Sequence, residues 1–410
     1  MGKQFDVVIA GAGAAGFFAA AEILRQRPQA SVLMLEKTGQ VLSKVRISGG
    51  GRCNVTHHCF DNKRLLENYP RGNPWLEAVF DQFSVRDTIR WFQHRGVKLV
   101  AESDGRMFPE SNQSESIIRA LQNSVKGENF ELRLHSALVS VQKEKRGFRL
   151  ILKGGEELFT TSLLLSCGGI PGQAGMDFLS HLQIKRIQPV PSLFTFNVKN
   201  HPWTSLMGLS VEKAAVSIPD FGLSFEGPIL VTHWGFSGPA VLKLSAAAAR
   251  LLFACEYRFE FRIDFLPAME MNAVEESISM HATDHPKQKP LNAQLFGLPR
   301  RLWEQLCLES GLDAYHNWAE AGKKSIQKIT ALLKSHSFQA NGKTTFKEEF
   351  VTSGGIALED VNPKTCESLA YPGLFFAGEI LDVDGFTGGF NFQAAWSTAF
   401  SAASGISSRL

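Results

Sequence analysis

What this chain lacks narrows its class. No apolar run reaches the roughly 18 residues that a membrane-spanning helix needs; the best candidate, 241–255, is broken by Lys243 and Arg250. No membrane association is therefore expected. Cysteine is scarce: six residues at 53, 59, 167, 255, 307 and 366, with no CxxC among them. That argues against a disulfide framework, a zinc knuckle or a dithiol reductase, and suits a reducing cytoplasm. No His/Asp/Cys spacing suggests a metal. Neither sign of charge dominates, since the net charge is +3, so a nucleic-acid partner is neither demanded nor excluded. The first apolar strand pattern begins after four residues, which leaves no room for a signal peptide, and a cytoplasmic location is expected.

At 410 residues the chain favours two or three domains. Its organising stretch is Phe5 to Lys37. The run Phe5-Asp6-Val7-Val8-Ile9-Ala10 reads as a buried strand, and Gly11-Ala12-Gly13-Ala14-Ala15-Gly16 follows it. An apolar run then continues without Gly or Pro until Pro28, which fits a helix. Ser31-Val32-Leu33-Met34-Leu35-Glu36-Lys37 is a second strand ending on an acid. This is a βαβ unit with GxGxxG at its first turn. Gly11 allows the tight turn, Gly13 lets a pyrophosphate approach, and Gly16 lets helix and strand pack closely. The helix start offers free N–H donors and partial positive charge. Glu36 stands where ribose hydroxyls would lie. A tight structural turn without ligand would use the same glycines.

Directly downstream, Ser48-Gly49-Gly50-Gly51-Arg52-Cys53-Asn54 sets three glycines beside a fixed cation, a thiol and an amide. Ordering three glycines costs chain entropy, so such a loop reads as a close approach to a flat or charged ligand; a flexible basic loop is the alternative. Cys53 is either redox-active or packed. His57 and His58 read as exposed loop residues.

Residues 75–126 carry helical periodicity, and 130–152 alternate as a strand pair. Leu163-Leu164-Leu165-Ser166-Cys167-Gly168-Gly169 is a buried strand ending on a glycine pair. Character changes near Pro189 and Pro191. Residues 191–267 are β-rich, with Ser237 expected to cap a helix that starts at Pro239, and 268–345 are mainly helical. The last segment returns to α/β character. Gly373 to Glu379 is a strand ending on Gly-acid. Asp382, Asp384 and the turn Gly388-Gly389-Phe390-Asn391 then feed a second helix start. That start can stabilise negative charge on a reduced ring.

These motifs together, Gly11–Gly16 with Glu36, Ile47–Asn54, Thr232-His233-Trp234-Gly235-Phe236-Ser237-Gly238-Pro239 and Gly378–Asn391, resemble the BaiN-like family of bacterial FAD-binding oxidoreductases, which includes aminoacetone-oxidase-type proteins. The resemblance covers nearly the whole chain. It implies a glutathione-reductase-like α/β FAD domain, discontinuous over 1–190 and 346–410. An inserted domain, a β-barrel plus a small helical part, would occupy 191–345. Where the family has Ala-Thr-Gly-Gly and a Tyr- and Thr-containing loop, this chain has the shorter Ser166–Gly175. That departure bears on substrate specificity.

The candidate cofactor contacts are Gly11, Gly13, Ala14, Ala15, Gly16, Glu36, Lys37, Ser48, Gly49, Gly50, Arg52, Cys53, Asn54, Leu138, Cys167, Gly168, Gly169, Gly378, Glu379, Asp382, Gly388, Gly389, Phe390 and Asn391. Arg52 and His233 are the candidate catalytic residues. No second GxGxxG occurs, so NAD(P)H is expected as a transient co-substrate at the flavin face.

Three reactions remain open. One is NAD(P)H-driven reduction of an activated C=C. Another is amine or aminoacetone oxidation by oxygen. The third is dihydrouridine formation in ribosomal RNA, with the basic stretch 44–71, Tyr69 and Lys185-Arg186 on the phosphates. An FAD-binding protein without catalysis is the fourth possibility. A small-molecule substrate is the expected partner, and ribosomal RNA the alternative.

Overall fold

The computed structural model describes residues 3–170, 173–198, 201–344 and 351–410. The chain divides into two compact units, Met1–Ser192 with Lys347–Leu410, and Leu193–Phe346. The boundary expected at 345/346, and Pro171 and Gly172 of the shortened loop, lie outside the described residues.

The first unit is built on parallel strands. Lys3–Ala10 pairs with Val32–Leu35 on one side and with Glu157–Leu165 on the other. Phe130–Arg133 extends the sheet beyond Val32–Leu35, and Leu374–Phe376 joins beside Leu163–Leu165. In chain order this is 3-2-1-4-5, the arrangement of a Rossmann-type half. Glu157–Leu165 forks: its first half pairs with the antiparallel hairpin Leu138–Lys143 and Phe148–Leu152, its second half with the C-terminal strand. Its last four residues are all buried, as a strand covered on both faces requires.

The helix Ala14–Gln26 ends just before Pro28, as the sequence predicts. It packs against the last helix, Phe390–Arg409. Small residues on the two helices, among them Ala19, Ala20, Ala399 and Ala402, are buried. Two minor sheets complete the unit. Arg186–Ser192 pairs with Val351–Ile356, and Arg106–Pro109 lies between Thr56–His57 and Leu99–Ala101.

The second unit is a seven-stranded antiparallel sheet with helices. Its strand Arg258–Asp264 alternates as the sequence predicts, with Phe259, Phe261 and Ile263 buried. The helical stretch ends at Ser335, earlier than the composition suggests. His336–Asn341 then pairs with Arg258–Asp264, and Lys343–Thr344 with Thr195–Asn197. These two strands are the opposite edges of the sheet and are joined by Gly342, whose φ is +98°. The Gly342 N–H donates to Tyr257 O (2.9 Å) and its carbonyl accepts from Asn197 N–H (3.2 Å). One residue thus brings the two edges together and curls the sheet into a barrel. Ser237 does not cap the following helix. Gly238, at φ +98°, is the N-cap of Pro239–Ala247, and a second short helix, Ala249–Ala254, follows.

Candidate functional site

The glycine turn shows three different reasons for its three glycines. A Cβ on Gly11, at φ +111°, would lie 2.4 Å from Ser166 O. A Cβ on Gly16 would lie 2.1 Å from Gly11 O. Both are packing constraints within the protein. A Cβ on Gly13 would meet nothing within 4 Å. The space in front of Gly13 is open, at the start of a 13-residue helix whose first turn holds no acid. Ala14 and Ala15 form that first turn, where free N–H groups favour an anion.

Glu36 ends its strand over this turn. One carboxylate oxygen accepts from Ala12 N–H (3.1 Å), the other from Thr38 N–H (2.9 Å) and the Thr38 hydroxyl (2.8 Å). Lys37 is exposed beside it. Ser136 N–H donates to Glu36 O (2.8 Å), so the chain entering Leu138 runs along the same strand end.

The Gly-rich stretch is only partly a loop. A short helix begins at Ser43, and within Ser43–Gly51 the residues Ser48, Gly49 and Gly50 leave helical geometry. Gly49, Gly50 and Gly51 all take left-handed φ, at +59°, +68° and +84°, which only glycine adopts in succession without strain. A Cβ on Gly49 would press on Phe108 at 2.8 Å, whereas one on Gly50 would meet nothing within 4 Å. Gly50 therefore faces open space. Ser48 donates its hydroxyl to Val45 O (3.1 Å). Cys53 is fully buried, and burial pushes its thiol up to about 12. Burial keeps this thiol protonated, which favours the packing reading of Cys53. Arg52 stacks over Phe108 at 3.9 Å and pairs with Glu102 at 2.6 Å, which fixes the guanidinium while a third of the side chain stays accessible.

The C-terminal segment folds back onto these elements. A Cβ on Gly378, at φ +73°, would stand 3.1 Å from Ala15 Cβ, so this turn packs on the helix that follows GxGxxG. Glu379 accepts from Thr352 N–H (2.8 Å) and pairs with Lys44 (2.6 Å). A Cβ on Gly169 would lie 2.4 Å from both a Glu379 carboxylate oxygen and Thr352 Oγ1, and Gly168 adjoins at φ +71°. The Cys167 thiol faces Ala10 O at 3.3 Å, and burial pushes it up to about 11.

Asp382 accepts from Gly354 N–H (3.0 Å). Asp384 is fully buried, forms an ion pair with Arg71 and accepts from the Ser192 hydroxyl (2.9 Å). Burial raises its carboxyl, against the pull of Arg71. Its role is to hold the turn.

At the last helix start, a Cβ on Gly389 would lie 2.5 Å from Thr56 O and 2.8 Å from Asn54 Oδ1. The Gly-rich stretch and the Gly388–Gly389 turn therefore meet. Asn391 is committed through its side-chain amide, which both donates to and accepts from the Gly385 backbone (2.9 and 2.8 Å). Phe390 is buried under Tyr69, whose hydroxyl donates to Phe390 O (2.7 Å).

One residue that sequence reasoning left as an exposed loop side chain belongs here. His57 Nδ1–H donates to Gly388 O (3.0 Å), and its ring stacks on Phe390 at 4.6 Å. The only sequence signal was its place three residues after Asn54.

The basic stretch 44–71 offers less than its composition suggests. Lys44 is paired with Glu379, Arg46 with Glu115, Arg52 with Glu102 and Arg71 with Asp384. Tyr69 is buried and cannot stack on a base. Lys185 pairs with Glu359, and Arg186 donates to Met176 O. His233 belongs to the second unit, on the exposed turn Thr232–Gly235.

Two buried side-chain oxygens of this region, Asn54 Oδ1 and Thr352 Oγ1, have no hydrogen-bond partner among the described residues. Buried polar groups are normally satisfied. With the open space at Gly13 and Gly50, they mark room for an extended ligand with polar edges.

A family model described as "HI0933-like protein Rossmann domain" matches residues 5–405. The "Ribosomal RNA dihydrouridine synthase" of Escherichia coli (strain K12) is 28% identical over 98% of each chain. The "3-dehydro-bile acid delta(4,6)-reductase" of Clostridium scindens is 26% identical over 96% of each. Among solved structures, the 3-ketosteroid delta1-dehydrogenase from Sterolibacterium denitrificans covers all of both chains with a TM-score of 0.53 at 12% identity, a likeness of fold.

Proposed function

This chain belongs to the HI0933-like Rossmann family, and on that premise we propose that it is an FAD-dependent oxidoreductase that reduces a carbon–carbon double bond conjugated to a carbonyl, with NAD(P)H as electron donor. The observation that carries the choice of cofactor is the return of Gly378–Asn391 onto the GxGxxG helix, through Gly378 against Ala15. A nicotinamide dinucleotide needs only the βαβ unit. A second glycine turn at a second helix start suits the longer flavin dinucleotide.

In this reading the open space at Gly13 and the N–H groups of Ala14 and Ala15 would hold the pyrophosphate. Glu36 turns from Ala12 and Thr38 to the adenosine ribose, with Leu138 alongside. Glu379 and Thr352 Oγ1 hold the ribityl chain between Gly168–Gly169 and Asp382. Ser48–Asn54 and Gly388–Asn391 would hold the ring system, with Asn54 Oδ1 available to its polar edge.

When bound, FAD would supply a hydride taken from NAD(P)H, which would leave as NAD(P)⁺. Reduction of the double bond would place that hydride on the β-carbon of the substrate and would need a proton at the α-carbon. Arg52, held by Glu102 and Phe108, is placed to stabilise the enolate charge that develops on the carbonyl oxygen. His233 is the second catalytic candidate of the sequence, a proton donor by its chemistry alone.

Uridine in ribosomal RNA is the favoured substrate within this class. The relative that carries that activity in its name matches along nearly its whole length, and the uracil C5=C6 bond is conjugated to a carbonyl. The test is anaerobic reduction of the bound flavin by NADH or NADPH, then reoxidation by an enone, by ribosomal RNA or by oxygen. Flavin reduced only by an amine and reoxidised only by oxygen would replace this reading with an oxidase.

A further inference from the structure

The helical part of the second unit carries a surface that the proposed flavin site does not use. Five lysines, Lys287, Lys289, Lys323, Lys324 and Lys328, lie in two stretches of chain, and all five are exposed. The stretches are neighbours in space. Trp318 N–H donates to Gln288 O (3.0 Å) and Ala319 N–H to Pro286 O (2.9 Å), so Pro286–Lys289 runs beside the segment that leads directly into the helix Lys323–Ser335. His281 and His285 border the same place, their rings 4.5 Å apart, with His281 bonded to Gln288 at 2.7 Å.

These lysines differ from four of the six cations of 44–71, the other two, Lys63 and Arg64, being exposed and without an ion pair among the described residues as well. Among the described residues none of the five has an ion-pair partner, whereas Lys44, Arg46, Arg52 and Arg71 are each matched by a carboxylate. The helix Lys323–Ser335 contains no acid, and its exposed positions include Lys323, Lys324, Gln327 and Lys328. The nearest preceding acid, Glu320, accepts from Asn317 N–H (2.8 Å) in a capping box. Asp284 ends the helix before His285. The placement also works against the fold. Lys323 and Lys324 take the first two helical positions, where the helix dipole disfavours cations. A patch of like charge, unmatched and partly at the unfavourable helix end, lowers stability in isolation. A polyanion laid across it would offset that cost.

We infer that this lysine face docks the phosphate backbone of RNA. The inference rests on the proposal that ribosomal RNA is the substrate. It gives the inserted unit a task of its own, gripping a macromolecular substrate by charge and without base-specific contacts.

The test uses the full-length flavin-loaded protein and ribosomal RNA purified from Escherichia coli. Binding is read by fluorescence anisotropy between 50 and 300 mM salt, as two experimental settings of about that range. The variants are K324E/K328E and K287E/K289E. Each lysine lost should lower the slope of log affinity on log salt by about one, and each double variant should lose roughly tenfold or more in affinity at low salt. Because K324E puts an acid in the first helical turn, its thermal midpoint should hold or rise, which separates lost docking from lost folding. Flavin reduction by NADPH should be unchanged in both variants. Unaltered affinity and salt slope in both variants, with wild type binding RNA, would overturn the docking face and leave the RNA reading standing. Failure of the wild-type protein to bind RNA would overturn both together.

Discussion

Replacing Gly13 by valine separates cofactor binding from folding more sharply than any other change at this site. Gly13 has ordinary extended backbone, φ −91° and ψ −165°, and a Cβ there touches nothing within 4 Å. Valine accepts that conformation, so the apo fold should keep its thermal midpoint within a degree or two. Gly11 and Gly16 offer no such freedom, since their Cβ atoms would collide with backbone at 2.4 and 2.1 Å. A side chain at Gly13 would instead occupy the space assigned to the pyrophosphate. Hydrogen bonds to charged groups contribute about 1.5–3 kcal/mol each. Displacing the phosphates from one or two of them costs roughly 3 kcal/mol, or about 100-fold in affinity at 1.4 kcal/mol per tenfold. Retained FAD measured by absorbance after gel filtration, with FAD titrated back into apoprotein, reads the effect. Gly13→Val protein that keeps a full complement of FAD would refute the placement of the pyrophosphate. Gly16→Ala serves as the contrast, because it should lose stability and FAD together.

Other perturbations test other parts of the account. Arg52→Ala removes a pair about one-third exposed and a stacking contact with Phe108, so stability should fall by no more than about 1 kcal/mol, while turnover of an enone or of RNA drops by roughly tenfold or more. Unchanged flavin reduction and unchanged product formation would remove Arg52 from the substrate face. Arg71→Ala leaves Asp384 buried without its partner, and the first unit should lose about 3–5 kcal/mol in urea unfolding; a loss under about 1 kcal/mol would mean that Asp384 is neutral.

In the second unit, burial raises the Glu309 carboxyl, but hydrogen bonds from His336, Gln305 and Trp203 outweigh it and hold it down to about 2. A depressed carboxyl contributes stability above its ordinary value of 4.5 that is lost as pH falls toward 2. Melting of the second unit should therefore weaken in that window, and Glu309→Gln should flatten the dependence.

What could be read from the residues, and what could not, follows from how local each signal is. The βαβ unit is legible because every part of it lies within 33 consecutive positions, 5–37, where Gly11 and Gly16 are sterically required and Gly13 faces open space. The further parallel strand ending at Gly168-Gly169 is legible as a continuous apolar run, whereas the order of strands in the sheet is not. The Gly-rich stretch was read as a loop because three glycines obscure helical periodicity, yet a helical turn from Ser43 precedes them. The strands His336–Asn341 and Lys343–Thr344 were read within a helical region, since their partners stand far away in the sequence. The Arg71–Asp384 pair joins residues 313 positions apart, and no spacing announces it. His57 was set aside for the same reason: its meaning comes from Gly388, 331 positions later.

In the proposed function electrons pass from NAD(P)H, through FAD, to a conjugated carbon–carbon double bond. Stopped-flow spectroscopy tests it most directly. The purified protein is reduced anaerobically with NADPH or NADH and then mixed separately with ribosomal RNA, an enone and oxygenated buffer, while flavin absorbance is followed near 450 nm, an experimental setting of about that wavelength. A reduced nicotinamide should bleach the flavin, and RNA or the enone should reoxidise it faster than oxygen does and yield the saturated product. A protein that purifies without flavin, or one whose flavin is reduced only by an amine and reoxidised only by oxygen, would contradict it.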